Sequence, residues 1–396
     1  MDAYDHRVIG PRQDLFHQQE EGPGAAFWHP RGAGLYRLIE NYILAQMRCG
    51  GFREVRTPQL LARSLWERSG HWAKFGAHMF VFADGERKFA LKPMNCPGHV
   101  QLFKQQLRSY RDLPLRFCEF GACHRHEPSG SLHGLMRTRA FTQDDAHVFC
   151  LPEHIDAEVS RFCALLRRVY ARFGFHEVLV GFSTRPAHRE GSDAVWDSAE
   201  ASLAAAAKAA GLEFRLQPGE GAFYGPKLEF ILKDREQREW QCGTIQLDLV
   251  LPQNLDAEVI NAAGDRIRPV MIHHAVLGSF ERFIAMLLEH HRGSLPFWLA
   301  PEQIVVMPVA AAQEGYARQV ATAFDAAGLR CLVDDSAQTL ARRIVSAHEQ
   351  GIPLIAIAGA REMAAGSVSL RQRGGQQSER GVADAAAWLT KLQTGG

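Results

Sequence analysis

Apolar positions along this chain change period several times, and each change marks an element. Leu35, Leu38, Ile39, Tyr42, Ile43 and Met47 recur at helical spacing, which predicts an amphipathic helix starting near Gly32 and ending at Gly50-Gly51. The polar opening, Met1 to Pro30, reads as a lead-in to that helix. Phe52 to Thr57 alternates like a strand and halts at Pro58. From Phe117 an apolar strand runs to Arg125 and Glu127, a loop rich in Gly, Ser, His and Arg follows, and a second strand carries Gln143, Asp144, Asp145 and His147. Strand side chains alternate, so Arg125 and Glu127 share a face. That face offers a planar cation for a phosphate and an acceptor for an exocyclic amine.

Val159, Phe162, Leu165, Leu166 and Val169 predict a helix between Leu151 and Gly174. A strand over Val178 to Phe182, a helix over Val195 to Ala210 and strands around Gly221–Phe230 and Glu239–Val250 follow. A further helix is expected from near Val276 through Glu281, Arg282 and Leu288. His290 to Pro296 reads as a linker, and beyond Phe297-Trp298-Leu299-Ala300-Pro301 short apolar strands alternate with amphipathic helices. The strands are expected at Ile304–Val309, Leu329–Val333, Pro353–Ala358 and Ser367–Arg371. The helices fall at Gln313–Ala327, Leu340–Gln350 and Val382–Leu392. Such alternation predicts a small α/β sheet with helices on its faces. Two domains are expected, 1–299 and 300–396, as a chain of 396 residues also suggests.

Composition adds little. Hydrophobic content of 46% and charged content of 22% are ordinary for a globular protein. A net charge of +1 shows no basic excess, so any nucleic-acid contact must rest on local patches. The eight cysteines show no CxxC pair and read as reduced thiols of a cytoplasmic protein. No apolar run approaches the roughly 20 residues of a membrane span.

The string CHRHEPSGSLHGLMRTRAFTQDDAH, Cys123 to His147, resembles motif 2 of the class II aminoacyl-tRNA synthetases, their threonine-specific branch in particular. The helix and strand ending at Pro58 resemble motif 1, and Gly278-Ser279-Phe280-Glu281-Arg282-Phe283 resembles motif 3. The resemblance implies an α+β class II catalytic domain, an antiparallel sheet flanked by helices, followed by an anticodon-binding-like α/β domain. It implies an ATP-dependent homodimer that activates L-threonine, with Mg²⁺ beside the ATP, and passes it to tRNA.

The family's residues carry over position by position. Arg125 matches the arginine on the α-phosphate, Glu127 the reader of the adenine amine, Arg137 and Arg282 the arginines near the γ-phosphate. Arginine suits these places because its planar fork binds phosphate oxygens in pairs. Cys96, His147 and His273 match the ligands of one Zn²⁺ per subunit, with His274 as the neighbouring alternative to His273. One thiolate and two imidazoles leave a position open, the form taken by catalytic zinc. Asp145 would accept from the threonine hydroxyl, Gln143 and Tyr224 would lie near the amine, and Lys227, Gln241 and Gln246 match other substrate-side positions. His71 matches a histidine that would help move the ribose proton, a task suited to an imidazole titrating near its ordinary value of about 6.5.

Full-length bacterial members of the family carry N-terminal domains, one of which hydrolyses Ser-tRNA; this sequence starts almost at the catalytic core, so no cis editing is expected of it. The resemblance thins in the C-terminal part. Gly359 to Gly366 carries alanines where polar base readers are expected, and Asp334 to Leu340 departs from a basic, glycine-containing form, leaving Arg371 and Arg373 as candidate RNA contacts. Two alternatives therefore stay open: a threonine-activating paralogue that loads a carrier protein or serves a small-molecule pathway, and a non-catalytic RNA-binding regulator.

Overall fold

The computed structural model describes residues 2–234, 236–375 and 377–394. They group into two compact units, one of Gln19–Ala25 and Glu40–Met286, the other of Met1–Gln18, Ala26–Ile39 and Leu287–Gly396. The expected division at 299/300 differs from this grouping because the opening is not a mere lead-in. It forms a helix over His6–Arg12, whose buried His6 meets the buried Glu289 carboxylate at 2.6 Å, and Gln13 donates to the Gly293 carbonyl.

The first unit is built on a sheet of eight strands: β1 (Arg53–Glu54), β2 (Leu115–His124), β3 (Ala140–Cys150), β4 (Leu179–Ser183), β5 (Arg215–Gln217), β6 (Lys227–Lys233), β7 (Glu239–Asp248) and β8 (Val270–Ser279). Their order across the sheet is β5-β4-β6-β7-β8-β3-β2-β1. Pairing is antiparallel except for β1 on β2 and β5 on β4. The central β8 is buried on both faces from Val270 to Leu277, because both are covered. Helix α1 (Cys96–Phe103) packs Val100 and Phe103 into the core beside Phe117 and Phe149. Helix α2 (Ile155–Phe173) turns its apolar stripe inward and ends at Gly174 in the left-handed conformation. Helix α3 (Asp193–Ala209) begins at Ser192, whose hydroxyl caps the Val195 amide. A three-stranded sheet of Leu60–Ala62, Val81–Asp84 and Arg87–Leu91 lies outside the expected elements.

Two boundaries depart from expectation. Strand β2 ends at His124, so Arg125 and Glu127 lie just past it, where Arg125 N still donates to the Arg139 carbonyl. The helix expected from Val276 begins at Phe280 as α4 (Phe280–His290), since Val276 and Leu277 belong to β8. The reason is Asp144, whose carboxylate accepts from the amides of Val276, Leu277 and Gly278 at 2.8, 2.9 and 3.0 Å and holds an irregularity in the β3–β8 register. Gly278 has φ +84°, and a Cβ there would lie 2.3 Å from the Cys242 carbonyl oxygen, so only glycine makes this turn.

The second unit carries a five-stranded sheet in the order Cys331–Val333, Ile304–Pro308, Leu354–Ala358, Ser367–Gln372, Gln377–Gly381, the first three parallel and the last two antiparallel. Helices Glu314–Ala326, Leu340–Glu349 and Val382–Thr394 pack on it. The expected α/β alternation is present, with two additions, the edge strand Gln377–Gly381 and a short helix over the alanine-rich Ala360–Ala365. No helix among the described residues is long and apolar enough to cross a membrane.

Candidate active site

Alternation on β3 puts Gln143, Asp145 and His147 on one face. Across the sheet His147 sits opposite His273, and His273 opposite Gln246, so three strands deliver one polar row. Helix α1 adds Cys96 at its first residue. The Cys96 sulfur and one ring nitrogen each of His147 and His273 lie within 4.8 Å of one another, and all three residues are buried. His147 Nε2 and His273 Nδ1 face each other at 3.0 Å. His274 points to the other face of β8, where it packs against Phe52 and Phe162. Asn95, which precedes α1, donates to Asp145 Oδ2 at 3.0 Å.

In front of this cluster opens a cleft of ≈ 630 Å³. Arg125, Glu127, Arg137, Gln143, Tyr224, Lys227, Gln241, Gln246 and Arg282 all line it. Arg125 is held over the rings of Phe141 and Phe75, at 5.1 and 5.7 Å, and donates to the Pro93 carbonyl. Arg282 is fastened from two sides, by the Met136 carbonyl at 2.9 Å and the Gln241 carbonyl at 2.7 Å, with Trp240 against its guanidinium. Burial pushes its pKa down, and Arg125 and Arg137 push the same way, yet an arginine remains a cation. Arg137 makes both its contacts, at 2.8 and 3.0 Å, to one Glu127 oxygen, Oε2. Lys227 pairs with Glu229. The cleft thus gathers fixed cations around one carboxylate, a setting for a polyphosphate carrying an amine-bearing base.

Tyr224 joins cleft and cluster. Its ring stacks on His273 with centroids 4.8 Å apart, and its hydroxyl donates to Gln246 Oε1 at 2.5 Å. Burial, with Cys96, Asp248 and Asp145 nearby, drives its pKa well up, so it stays a neutral donor. Burial likewise raises Asp145 and Cys96. His71 lies behind the cleft, wholly buried, its Nδ1 on Ser69 Oγ at 2.9 Å and its Nε2 3.5 Å from Cys96 Sγ. The expectation that it titrates like a free imidazole fails: burial, seconded by His273, takes it down to about 3.

Several contributors escaped the sequence reading. His99 and Asp248 hold the outer nitrogens of the cluster, Glu119 holds His99, Asn95 holds Asp145, and Glu281 accepts from the Thr142 amide at 3.0 Å. One signal was available, since Cys96 and His99 stand three apart, a spacing that shares a helix face.

An antiparallel sheet bearing such a cleft, followed in sequence by a small α/β fold, is the architecture of a class II aminoacyl-tRNA synthetase. Residues 79–291 match the class II tRNA synthetase core domain (G, H, P, S and T), residues 303–392 match the anticodon-binding domain, and the chain belongs to the class II core family. It is similar to the threonine–tRNA ligase of Rhodospirillum rubrum, with 52% identity over 375 residues, 95% of this chain and 58% of that protein. To the threonine–tRNA ligase of Methylococcus capsulatus it is 54% identical over 388 residues, 98% of this chain and 61% of that one. The chain therefore spans about three fifths of the length of these curated relatives. A crystal structure described as the RNA binding domain of threonyl-tRNA synthetase from Cryptosporidium parvum superposes with a TM-score of 0.94 at 38% identity, covering 98% of both chains.

Proposed function

We propose that the chain activates L-threonine with ATP and transfers it to tRNA, as a cytoplasmic homodimer whose residues 1–299 do the chemistry and whose residues 300–396 contact the tRNA. The observation that carries this is the cationic cleft backed by a buried Cys/His/His cluster. Arg125 holds the α-phosphate and the substrate carboxylate together. Arg282 and Arg137 hold the departing pyrophosphate, whose charge an accompanying Mg²⁺ would help to neutralise. These cations act by positioning and by stabilising charge as it develops. Glu127 presents Oε1 to the adenine amine while Oε2 keeps Arg137 in place.

The donor chemistry of Cys96, His147 and His273 fits Zn²⁺, one per subunit: one sulfur and two nitrogens, buried and close enough to share an ion. Held by these three residues, the zinc would supply a Lewis acid for the amine and β-hydroxyl of threonine. Asp145 accepts from that hydroxyl, fixed by Asn95. Gln143 and Tyr224 border the amine, with Lys227, Gln241 and Gln246 completing the wall. A site that engages a hydroxyl rejects an isostere lacking it far more strongly than an apolar pocket can. Valine should therefore fail where threonine succeeds. His71 sits behind Tyr224, where it would assist the ribose proton only through its neighbours.

The match of residues 303–392 to an anticodon-binding domain favours tRNA over a carrier protein as acceptor. The test is threonine-, serine- and valine-dependent pyrophosphate exchange, followed by charging of total tRNA with labelled threonine. Equal exchange with valine would overturn the hydroxyl reading, and exchange without tRNA charging would overturn the acceptor. Light scattering that shows a stable, active monomer would overturn the dimer.

A further inference from the structure

We propose that Asp248 and the Glu119–His99 pair are positioning residues, which turn the lone pairs of His273 and His147 inward toward Cys96. The inference rests on reading Cys96, His147 and His273 as a metal site.

Five buried contacts form one line. Lys92 Nζ meets Glu119 Oε1 at 2.8 Å, and Glu119 Oε2 meets His99 Nε2 at 3.1 Å. His99 Nδ1 meets His147 Nδ1 at 2.8 Å, His147 Nε2 meets His273 Nδ1 at 3.0 Å, and His273 Nε2 meets Asp248 Oδ2 at 2.8 Å. All six side chains are buried, so water does not complete the pattern.

The ends of the line fix the protons within it. Lysine only donates and carboxylates only accept. Burial pushes the Glu119 carboxyl up, but hydrogen bonds from His99, Lys92 and the Thr57 amide outweigh it and hold the group at about 2. Glu119 therefore takes the Nε2 proton of His99. A neutral His99 then has only a lone pair at Nδ1, which takes the Nδ1 proton of His147 and leaves His147 Nε2 bare. From the other end, Asp248 takes the Nε2 proton of His273 and leaves its Nδ1 bare. The two bare nitrogens meet at 3.0 Å.

A count reaches the same point. Between the two carboxylates lie three imidazoles and four contacts. Three neutral imidazoles own three ring protons, so one contact has none. One further proton or one bound cation fills that contact. The missing positive charge belongs between His147 and His273. Each anchor is itself immobile, because Asp248 Oδ1 accepts from the Val250 and Leu251 amides and Glu119 accepts from the Thr57 amide and hydroxyl. Carboxylates placed behind ligating histidines are how proteins fix ring orientation and basicity.

The test uses the full chain, with Zn²⁺ content and affinity measured by elemental analysis and chelator competition. The visible absorption of the Co²⁺-loaded protein reads the ligand geometry directly. Asp248→Asn keeps the volume and the oxygen that caps Val250 and Leu251, but sets an amide donor against His273 Nε2. The ring must then turn its Nδ1 proton inward. Glu119→Gln does the same through His99 and His147. Each should weaken Zn²⁺ binding roughly 10- to 100-fold and alter the Co²⁺ bands, while metal-free protein keeps its circular dichroism. Should either variant fail to fold, the other decides. Wild type that binds both ions, with unchanged affinity and Co²⁺ spectrum in the folded variants, overturns this inference alone. Wild type that takes up neither ion overturns the metal reading and this inference together.

Discussion

Replacing Glu281 with glutamine should stabilise the fold in mild alkali and leave it nearly unchanged in acid. Glu281 is buried at the start of α4, with the Thr142 amide on Oε2. Burial lifts its pKa from the ordinary 4.5 to about 7, against the pull of the backbone amides. The unfolded chain ionises this carboxyl near 4.5, whereas the folded chain keeps its proton to about 7. Between those values unfolding releases a proton, so the contribution of Glu281 is complete below about 4.5 and lost as pH rises through about 7. Each tenfold difference in acidity is worth about 1.4 kcal/mol, which puts the cost of the buried carboxylate at pH 8 on the order of 3 kcal/mol. Glutamine keeps an acceptor for Thr142 and never ionises. Urea denaturation of both proteins at pH 5 and pH 8 isolates the effect, because other titrating groups such as Asp144 cancel in the difference. The variant should gain on the order of 3 kcal/mol at pH 8 relative to its gain at pH 5. An equal difference at both pH values, or a variant less stable at pH 8, would refute the reasoning.

Gly278→Ala should cost on the order of 3 kcal/mol of stability, since a left-handed alanine would press on the Cys242 carbonyl; a thermal melt unchanged from wild type would contradict this. Arg282→Lys cannot keep both backbone anchors and a forked grip, and should slow threonine-dependent pyrophosphate exchange roughly 100-fold at saturating threonine. Tyr224→Phe removes the donor to Gln246 but keeps the ring on His273. It should raise the KM for threonine several-fold with little change in the KM for ATP, and an effect confined to ATP would show that Tyr224 faces the other substrate.

What the sequence disclosed follows the range of the forces involved. The helices over Pro30–Cys49 and Ile155–Phe173 were readable because their apolar stripes repeat within a few turns. Arg125, Glu127 and Arg137 were readable because one hairpin holds all three. The end of β8 was not, because Val276 and Leu277 suit either a strand or a helix, and the decision falls to Asp144, far away in sequence. The strands at Leu60–Ala62, Val81–Asp84 and Arg87–Leu91 passed unnoticed, being short and in part exposed. The Lys92-to-Asp248 line was invisible for a different reason. Each member is an ordinary polar residue, and what matters is the direction of its protons, which exists only once the strands are paired.

The place of β8 bears on how the chain comes off the ribosome. It is among the last strands of its sheet to be made, yet it lies at the centre, between β3 and β7. Until residues 270–279 emerge, β3 and β7 each present an unpaired inner edge, and β3 ends in the apolar run Val148-Phe149-Cys150. Open apolar edges invite pairing with other chains. A nascent or prematurely terminated chain that stops before Val270 should therefore need a chaperone to stay dispersed. Arrival of β8 closes both edges and in the same event brings His273 to His147.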